Sequence, residues 1–249
     1  MPRFFIARSR ITRPDGSDTP TVTVTGDDAR HISRSLRMRA GEHLVLCDGD
    51  GTDYDCIICT VSPDAVLLSV VGSASTAAEP PYKTTVYQAL VRGERFDTVV
   101  QKSVECGAAR IVPYSAERST VRISPSDAER KRQRWQRIAD EAAKQCGRGM
   151  LPEVTAPVTF SEAVAAAASA DVSLFCYELS RIPLREVLTE KHSPETVSVM
   201  IGPEGGFSES EASDARNSGL AEVSLGRRIL RTESAAPFVL ACLAYEFER

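Results

Sequence analysis

Two stretches of the chain combine residue types that could hold a ligand and act on it. The first is VMIGPEGGFSESE, residues 199–211, where a short apolar run stops at Gly202 and three glycines fall within five residues. Missing side chains let a backbone come close to a bound molecule, although the same residues also build ordinary tight turns. The second is SLGRRILRTESAAP, residues 224–237, in which Arg227, Arg228 and Arg231 surround the apolar pair Ile229 and Leu230. Apolar groups beside arginines suit an aromatic base that carries a charged group. Arg231 could instead pair with Glu233 or cap a neighbouring helix, and Ile229 and Leu230 could be core residues.

Several chemistries are excluded. No G-x-G-x-x-G follows the first strand of an α/β unit, and no Lys-Ser/Thr follows the glycines, so neither a dinucleotide fingerprint nor a P-loop is present. Of the seven cysteines, only Cys56 and Cys59 form a CxxC pair. It has no second pair or histidines at zinc spacing, and on a strand its members face opposite sides, so no metal site is expected. With no long apolar run and no secretory core at the N-terminus, a cytoplasmic protein without membrane spans is expected.

The 249 residues are 42% hydrophobic and 26% charged, with a net charge of −4, an ordinary globular composition. The charge is uneven. Residues 1–40 hold eight arginines against four aspartates, and residues 117–137 hold seven basic side chains against three acids. Two basic islands on an acidic chain are consistent with a defined polyanion site or with a solvated arginine-rich surface.

The elements that position these residues fall into two groups. Short strands are predicted at 3–8, 21–25, 43–48, 54–61 and 65–71, separated by the turn signals PDGSD, DGDGTD and SPDA. A helix from an Asp27 or Asp28 N-cap to about Met38 lies among them. This pattern predicts a small β-barrel domain over 1–71, followed by a Pro-Pro-containing linker over 72–83. From 84 to 249 apolar strands alternate with helices at about 94–106 and 125–146, which predicts an α/β domain with a mostly parallel sheet. In the long helix Trp135, Ile138, Ala139, Ala142, Ala143 and Cys146 share one face, with Gly147 as its stop. Ligands in such sheets bind beyond the carboxyl ends of the strands, which gathers Glu178, residues 202–207 and residues 225–231 into one neighbourhood. Ser208 and Glu211 form a capping-box signature, and Thr232 is read as the cap of a terminal helix.

The paired C-terminal motifs, MIGPEGGFSESE and SLGRRILRTESA, resemble the ribosomal RNA small-subunit methyltransferase E family of the SPOUT class. HISRSLRMRAGEHLVLCDGDG resembles that family's N-terminal PUA-like domain. QALVRGERFDTVVQKSVECGAARIVPYSAERS and RWQRIADEAAKQCGRGMLPEV resemble its central signatures. The resemblance runs from Pro2 to the C-terminus in one register. Ser35, Cys146 and Ser234 depart from the family pattern in small, local ways.

The resemblance implies S-adenosylmethionine as methyl donor, N3 of one uridine in the decoding region of 16S rRNA as target, a homodimer, and a C-terminal trefoil knot that periodicity does not reveal. Carried over by position, it implies that Glu178, Ile201, Gly202, Gly205, Leu225, Gly226, Ile229 and Leu230 hold the donor. Arg231 would stand near the chemistry, stabilising negative charge on the uracil. Arg3, His31, Arg34, Arg37, Lys102, Arg118, Gln145 and Arg148 would contact RNA; His31 has an equal reading as a packing residue. Glu204 and Glu233 could each be the base that removes the N3 proton or a structural carboxylate at a turn or helix start. The alternatives are an RNA-binding ribosome-assembly protein without methyl transfer, or a SPOUT methyltransferase with another RNA target.

Overall fold

In the computed structural model, which describes residues 1–13 and 18–248, the N-terminal strands alternate apolar and polar residues with period two. They are β1 (Arg3–Phe5), β2 (Thr21–Thr25), β3 (His43–Cys47), β4 (Thr52–Val61) and β5 (Ala65–Ser75). Their order in the sheet is β1-β3-β4-β5-β2, with β1 parallel to β3 and the other pairs antiparallel. One face of this alternation is buried: Val22, Val24, Leu44, Leu46, Ile58, Val66 and Leu68 form a core with Phe4, Ala29 and Ile32. Each such aliphatic side chain contributes roughly 1.5–3 kcal/mol when fully buried. The barrel expected here is, in its pairing, a five-stranded sheet with β1 and β2 as edges among the described residues. The PDGSD turn lies, apart from Asp18, outside the described residues.

The helix expected from Asp27 to Met38 is shorter and differently capped. Helix α1 (Asp27–Arg30) continues as one π-helical turn over His31–Ser35. Gly26, at φ 75°, is the N-cap, and Asp27, the first helical residue, accepts a hydrogen bond from Arg30. Arg37, at φ 53°, takes the left-handed conformation that stops a helix.

The chain divides into two compact units, one of residues 1–79 with 143–151, the other of residues 80–142 with 152 onward. Of the stretch 72–83 expected as a linker, residues 72–75 extend β5 and Lys83 opens β6. Within the first unit the Glu79 carboxylate accepts hydrogen bonds from the amides of Gly149 and Met150 at 2.8 and 3.0 Å, and from Arg148 Nη2 at 2.7 Å. This holds residues 143–151 in that unit.

From residue 80 on the elements are β6 (Lys83–Ala89), α2 (Arg95–Glu105), β7 (Ala108–Ser115), α3 (Pro125–Cys146), whose last turn belongs to the first unit, β8 (Glu153–Val154), β9 (Val158–Thr159), α4 (Phe160–Ala167), β10 (Val172–Cys176), α5 (Leu184–Thr189), β11 (Thr196–Ile201), α6 (Glu209–Asn217), β12 (Ala221–Val223) and α7 (Thr232–Phe247). The strands form one parallel sheet in the order β12-β10-β11-β6-β7-β8, with β9 paired to β7. Strand β11 is buried from Val197 to Ile201, and its one polar residue there, Ser198, donates its hydroxyl to the Ala167 carbonyl at 2.8 Å. Gly147, at φ 79°, follows the last residue of α3 as its sequence predicts.

Candidate active site

The carboxyl ends of β10, β11 and β12 open into one cleft of about 530 Å³. Ile201 and Gly202 come from the end of β11, Glu178 from the segment after β10, and Leu225, Gly226, Ile229 and Leu230 from the segment after β12. Gly205 and Arg231 also line it, so every residue expected to hold the donor or stand near the chemistry faces this space.

The loop after β11 is held by its own unit. Tyr114 donates its hydroxyl to the Ile201 carbonyl at 2.8 Å, Thr232 to the Gly202 carbonyl at 2.8 Å, and Arg118 to the Gly205 carbonyl at 3.2 Å. The Gly206 amide closes a turn onto the Pro203 carbonyl at 3.0 Å. Helix α6 then starts at Ser208, whose hydroxyl accepts from the Glu211 amide while Glu211 accepts from the Ser208 amide. The capping box is therefore present as its sequence predicts.

The glycines answer to close protein neighbours. A Cβ on Gly202 would lie 2.8 Å from the Phe207 ring, and one on Gly206 would lie 1.9 Å from Glu178 Oε1. Phe207, expected in the ligand neighbourhood, is instead buried against Phe175, with ring centroids 4.3 Å apart. Gly226 differs: at φ 108° its conformation demands glycine, yet nothing lies within 4 Å of its missing Cβ. There the backbone is open to a partner.

The apolar part of the lining is half finished. Ile229 is 79% exposed although it is a large aliphatic residue, so a flat aromatic group seated on it would cover surface the protein leaves wet. Arg231 is also exposed, at 77% of its side chain, with its guanidinium 3.9 Å from Glu233 Oε1. Thr232 is not the helix cap its sequence position suggests. Arg231 occupies the N-cap position of α7, and the Thr232 hydroxyl is spent on Gly202 while accepting from Gln88 Nε2 at 2.9 Å. Glu204 receives a hydrogen bond from Arg95 Nη1 at 3.0 Å. Cys176 also lines the cleft, and burial pushes its thiol up to about 12.

Arg95, Cys176, Ser224 and Thr232 escaped the sequence reading of the cleft. For Arg95 the signal existed: β6 is β11's neighbour, and the strand-end rule applied to QALVRGERF points to it.

The residues expected on RNA divide into two kinds, exposed and internally engaged. His31, Arg34 and Arg37 are exposed, with the His31 ring edge-on to Phe4 at 6.0 Å. Lys102, Arg118 and Gln145 are exposed as well, Lys102 in an ion pair with Glu105 at 2.7 Å. Arg3 and Arg148 are engaged internally. Arg3 donates to both carboxylate oxygens of Asp53, at 2.6 and 2.7 Å. Burial works against the Arg3 charge, but the bonds and charge of Asp53 outweigh it and hold the guanidinium above its ordinary value. Arg148 is only 3% exposed and bound to Glu79, so its guanidinium is not presented to a phosphate. It anchors the loop after α3 instead. Among the described residues no group of acidic, His or Cys side chains is arranged to hold a metal, and no helix is long and apolar enough to cross a membrane.

A family model described as an RNA methyltransferase domain matches residues 78–244, and one described as an RNA methyltransferase PUA domain matches residues 24–71. The chain is 30% identical to the ribosomal RNA small subunit methyltransferase E of Bacillus subtilis, over 100% of this chain and 98% of the relative. It is 32% identical to the protein of the same name from Synechocystis sp., over 96% of this chain and 77% of the relative. Among solved structures, a ribosomal RNA small subunit methyltransferase E from Neisseria gonorrhoeae bound to S-adenosyl methionine matches with a TM-score of 0.85 at 30% identity, over 98% of this chain and 97% of that one. A putative methyltransferase from Legionella pneumophila in complex with the bound cofactor SAM matches with a TM-score of 0.81 at 31% identity, over 98% and 96% of the two chains.

Proposed function

The chain belongs to the ribosomal RNA small subunit methyltransferase E family, and from that premise we propose that it transfers a methyl group from S-adenosylmethionine to N3 of one uridine in the decoding region of 16S rRNA. The observation that carries this reading is the single cleft shared by the loops after β11 and β12. It combines exposed aliphatic surface, open backbone at Gly226 and an arginine at its edge. Its volume lies in the range of small-molecule sites, which run from about 300 to 1,000 Å³. We further propose that the protein acts in the cytoplasm as a homodimer and that its second unit carries the SPOUT-class trefoil knot. The strand order, with β11 and β12 on either side of β10, supports the knot.

S-adenosylmethionine supplies, when bound, a methyl group on a positively charged sulfur that departs as a neutral thioether. The residues present fit such a molecule. Ile201, Leu225, Ile229 and Leu230 would cover the faces of its base, and the backbone at Gly226 would reach its edge. Gly202 and Gly205 shape the loop, and Glu178 borders the pocket. Because the leaving group is good, the chain's work is to position the reactants. Arg231 would stabilise the negative charge that spreads over the uracil once N3 loses its proton. His31, Arg34, Arg37, Lys102, Arg118 and Gln145 would contact the RNA and set register, with the target uridine splayed out of its stack. Arg3 and Arg148 would support these surfaces from within.

The test is mass spectrometry of small-subunit rRNA after the purified protein has acted, with labelled S-adenosylmethionine, on subunits from cells lacking this gene. One added methyl on N3 of the decoding-region uridine is expected. Donor binding without that methyl would point to another RNA target, and neither would point to an RNA-binding assembly protein.

A further inference from the structure

Four buried side-chain oxygens among the described residues have no hydrogen-bond partner: Thr84 Oγ1, Gln88 Oε1, Ser103 Oγ and Glu233 Oε2. Of these four residues, Glu233 is the one that lines the cleft. A buried polar atom left without a partner costs stability, more so when it belongs to a carboxylate. Native proteins keep few such atoms, and a catalytic role is one of the reasons for which they are kept.

The other oxygen of the same carboxylate is accounted for, since Oε1 lies 3.9 Å from the Arg231 guanidinium. No amide of the α7 first turn donates to Oε2, so a helix-capping role does not explain its position. The second acidic candidate differs. Glu204 is bound by Arg95 at 3.0 Å and is not among the orphans. What Oε2 lacks is a hydrogen donor brought in from outside, at the edge of the cleft where Arg231 also stands.

We propose that Glu233 is the general base of the reaction, its Oε2 accepting the imide proton of the target uridine. This rests on the methyl-transfer reading given above. The N3–H bond breaks and its electron pair stays on N3 while the proton passes to Oε2. The N3 pair then forms the bond to the methyl carbon as the carbon–sulfur bond breaks, its electrons remaining on sulfur. The proton on Glu233 leaves to water afterwards. Arg231, beside Oε1, is placed to face the oxygens of the same uracil ring, so one dyad at the start of α7 removes the proton and offsets the charge.

The test compares the wild-type protein with Glu233→Gln and Glu233→Asp, using subunit rRNA methylation, calorimetry of S-adenosylmethionine binding and thermal unfolding. Glu233→Gln keeps the shape and loses the basicity, so turnover should fall by about 100-fold or more. Donor affinity should stay within about twofold, and Glu233→Asp should recover part of the rate. Turnover within about twofold of wild type in Glu233→Gln would overturn the proposal. So would a loss of donor affinity that accounts for the whole loss of rate, because Oε2 would then hold the donor instead. Should Glu233→Gln fail to fold, Glu233→Ala carries the test: turnover within about twofold of wild type with unchanged donor affinity excludes a base at this position. A wild-type protein that binds the donor and methylates no rRNA would move the reading to another RNA target, and one that does neither would sink the methyl-transfer reading itself; both outcomes are distinct from all of these.

Discussion

The Thr232 hydroxyl donates to the Gly202 carbonyl at 2.8 Å, joining two loops whose residues lie 30 positions apart. The same hydroxyl accepts from Gln88 Nε2 at 2.9 Å, so strand β6, the end of β11 and the start of α7 meet at one oxygen. Thr232→Val keeps the shape and strips that oxygen away, so the Gly202 carbonyl loses its hydroxyl donor and the Gln88 amide keeps only its bond to the Ala89 carbonyl, at 3.2 Å. Stability should drop by about 1–3 kcal/mol, and donor binding should weaken as the loops part. Thr232→Ser should restore both. Denaturant unfolding and calorimetry check this.

Gly206 and Gly202 should fail in different ways. Gly206→Ala places a methyl 1.9 Å from Glu178 Oε1, the mobile end of an exposed side chain, at φ 67°. The fold should survive with a loss of about 1 kcal/mol from backbone strain, while S-adenosylmethionine affinity drops about tenfold as Glu178 swings away, a change of roughly 1.4 kcal/mol. Gly202→Val drives into the buried Phe207 ring, so its first effect should be unfolding, by about 1–3 kcal/mol. Melting curves read beside donor titrations separate the two.

Arg231→Ala removes an exposed side chain, so thermal stability should move by no more than about 0.5 kcal/mol. Turnover should fall by about 100-fold, as when a group that stabilises developing charge is lost, with donor affinity nearly unchanged. Single-turnover methylation beside calorimetry would show it, and an unchanged rate would remove Arg231 from the mechanism.

The Glu79–Arg148 pair makes the first unit sensitive to acid. Burial pushes the Glu79 carboxyl up, but the hydrogen bonds and charge of Arg148, with the Met150 and Gly149 amides, outweigh it and hold the group below its usual range. A depressed folded value stabilises the native state above the unfolded value of about 4.3. That contribution fades as pH falls below it and through the folded value. Glu79→Gln should flatten the acid limb of the stability profile. Arg148→Ala should cost about 3–5 kcal/mol near neutral pH, because it strands a largely buried carboxylate. Urea titrations from pH 3 to 7 measure both.

Local signals were legible in the sequence and tertiary ones were not. The bounds of α3, the Ser208–Glu211 capping box and the gathering of the glycine loop with LGRRILR all follow from spacing, because periodicity, capping and strand ends are properties of short segments. The engagement of Arg148 by Glu79 does not, since a basic residue in a basic stretch carries no mark of a partner 69 positions away. Nor does the purpose of the glycines, which depends on where Phe207 and Glu178 come to lie. Thr232 sits where a cap is expected, and only the approach of Gln88 and Gly202 reveals its different use.

Cys176 bears on the selectivity of the proposed chemistry. A sulfonium methyl donor is an alkylating agent, and the soft nucleophile most able to intercept it is a thiolate. Cys176 stands in the wall of the same cleft, and burial pushes its thiol up to about 12, so near neutral pH it carries its proton and is a poor nucleophile. Under the proposed chemistry the consequence is resistance to self-alkylation, since a protonated thiol in the cleft wall competes poorly for the donor's methyl group.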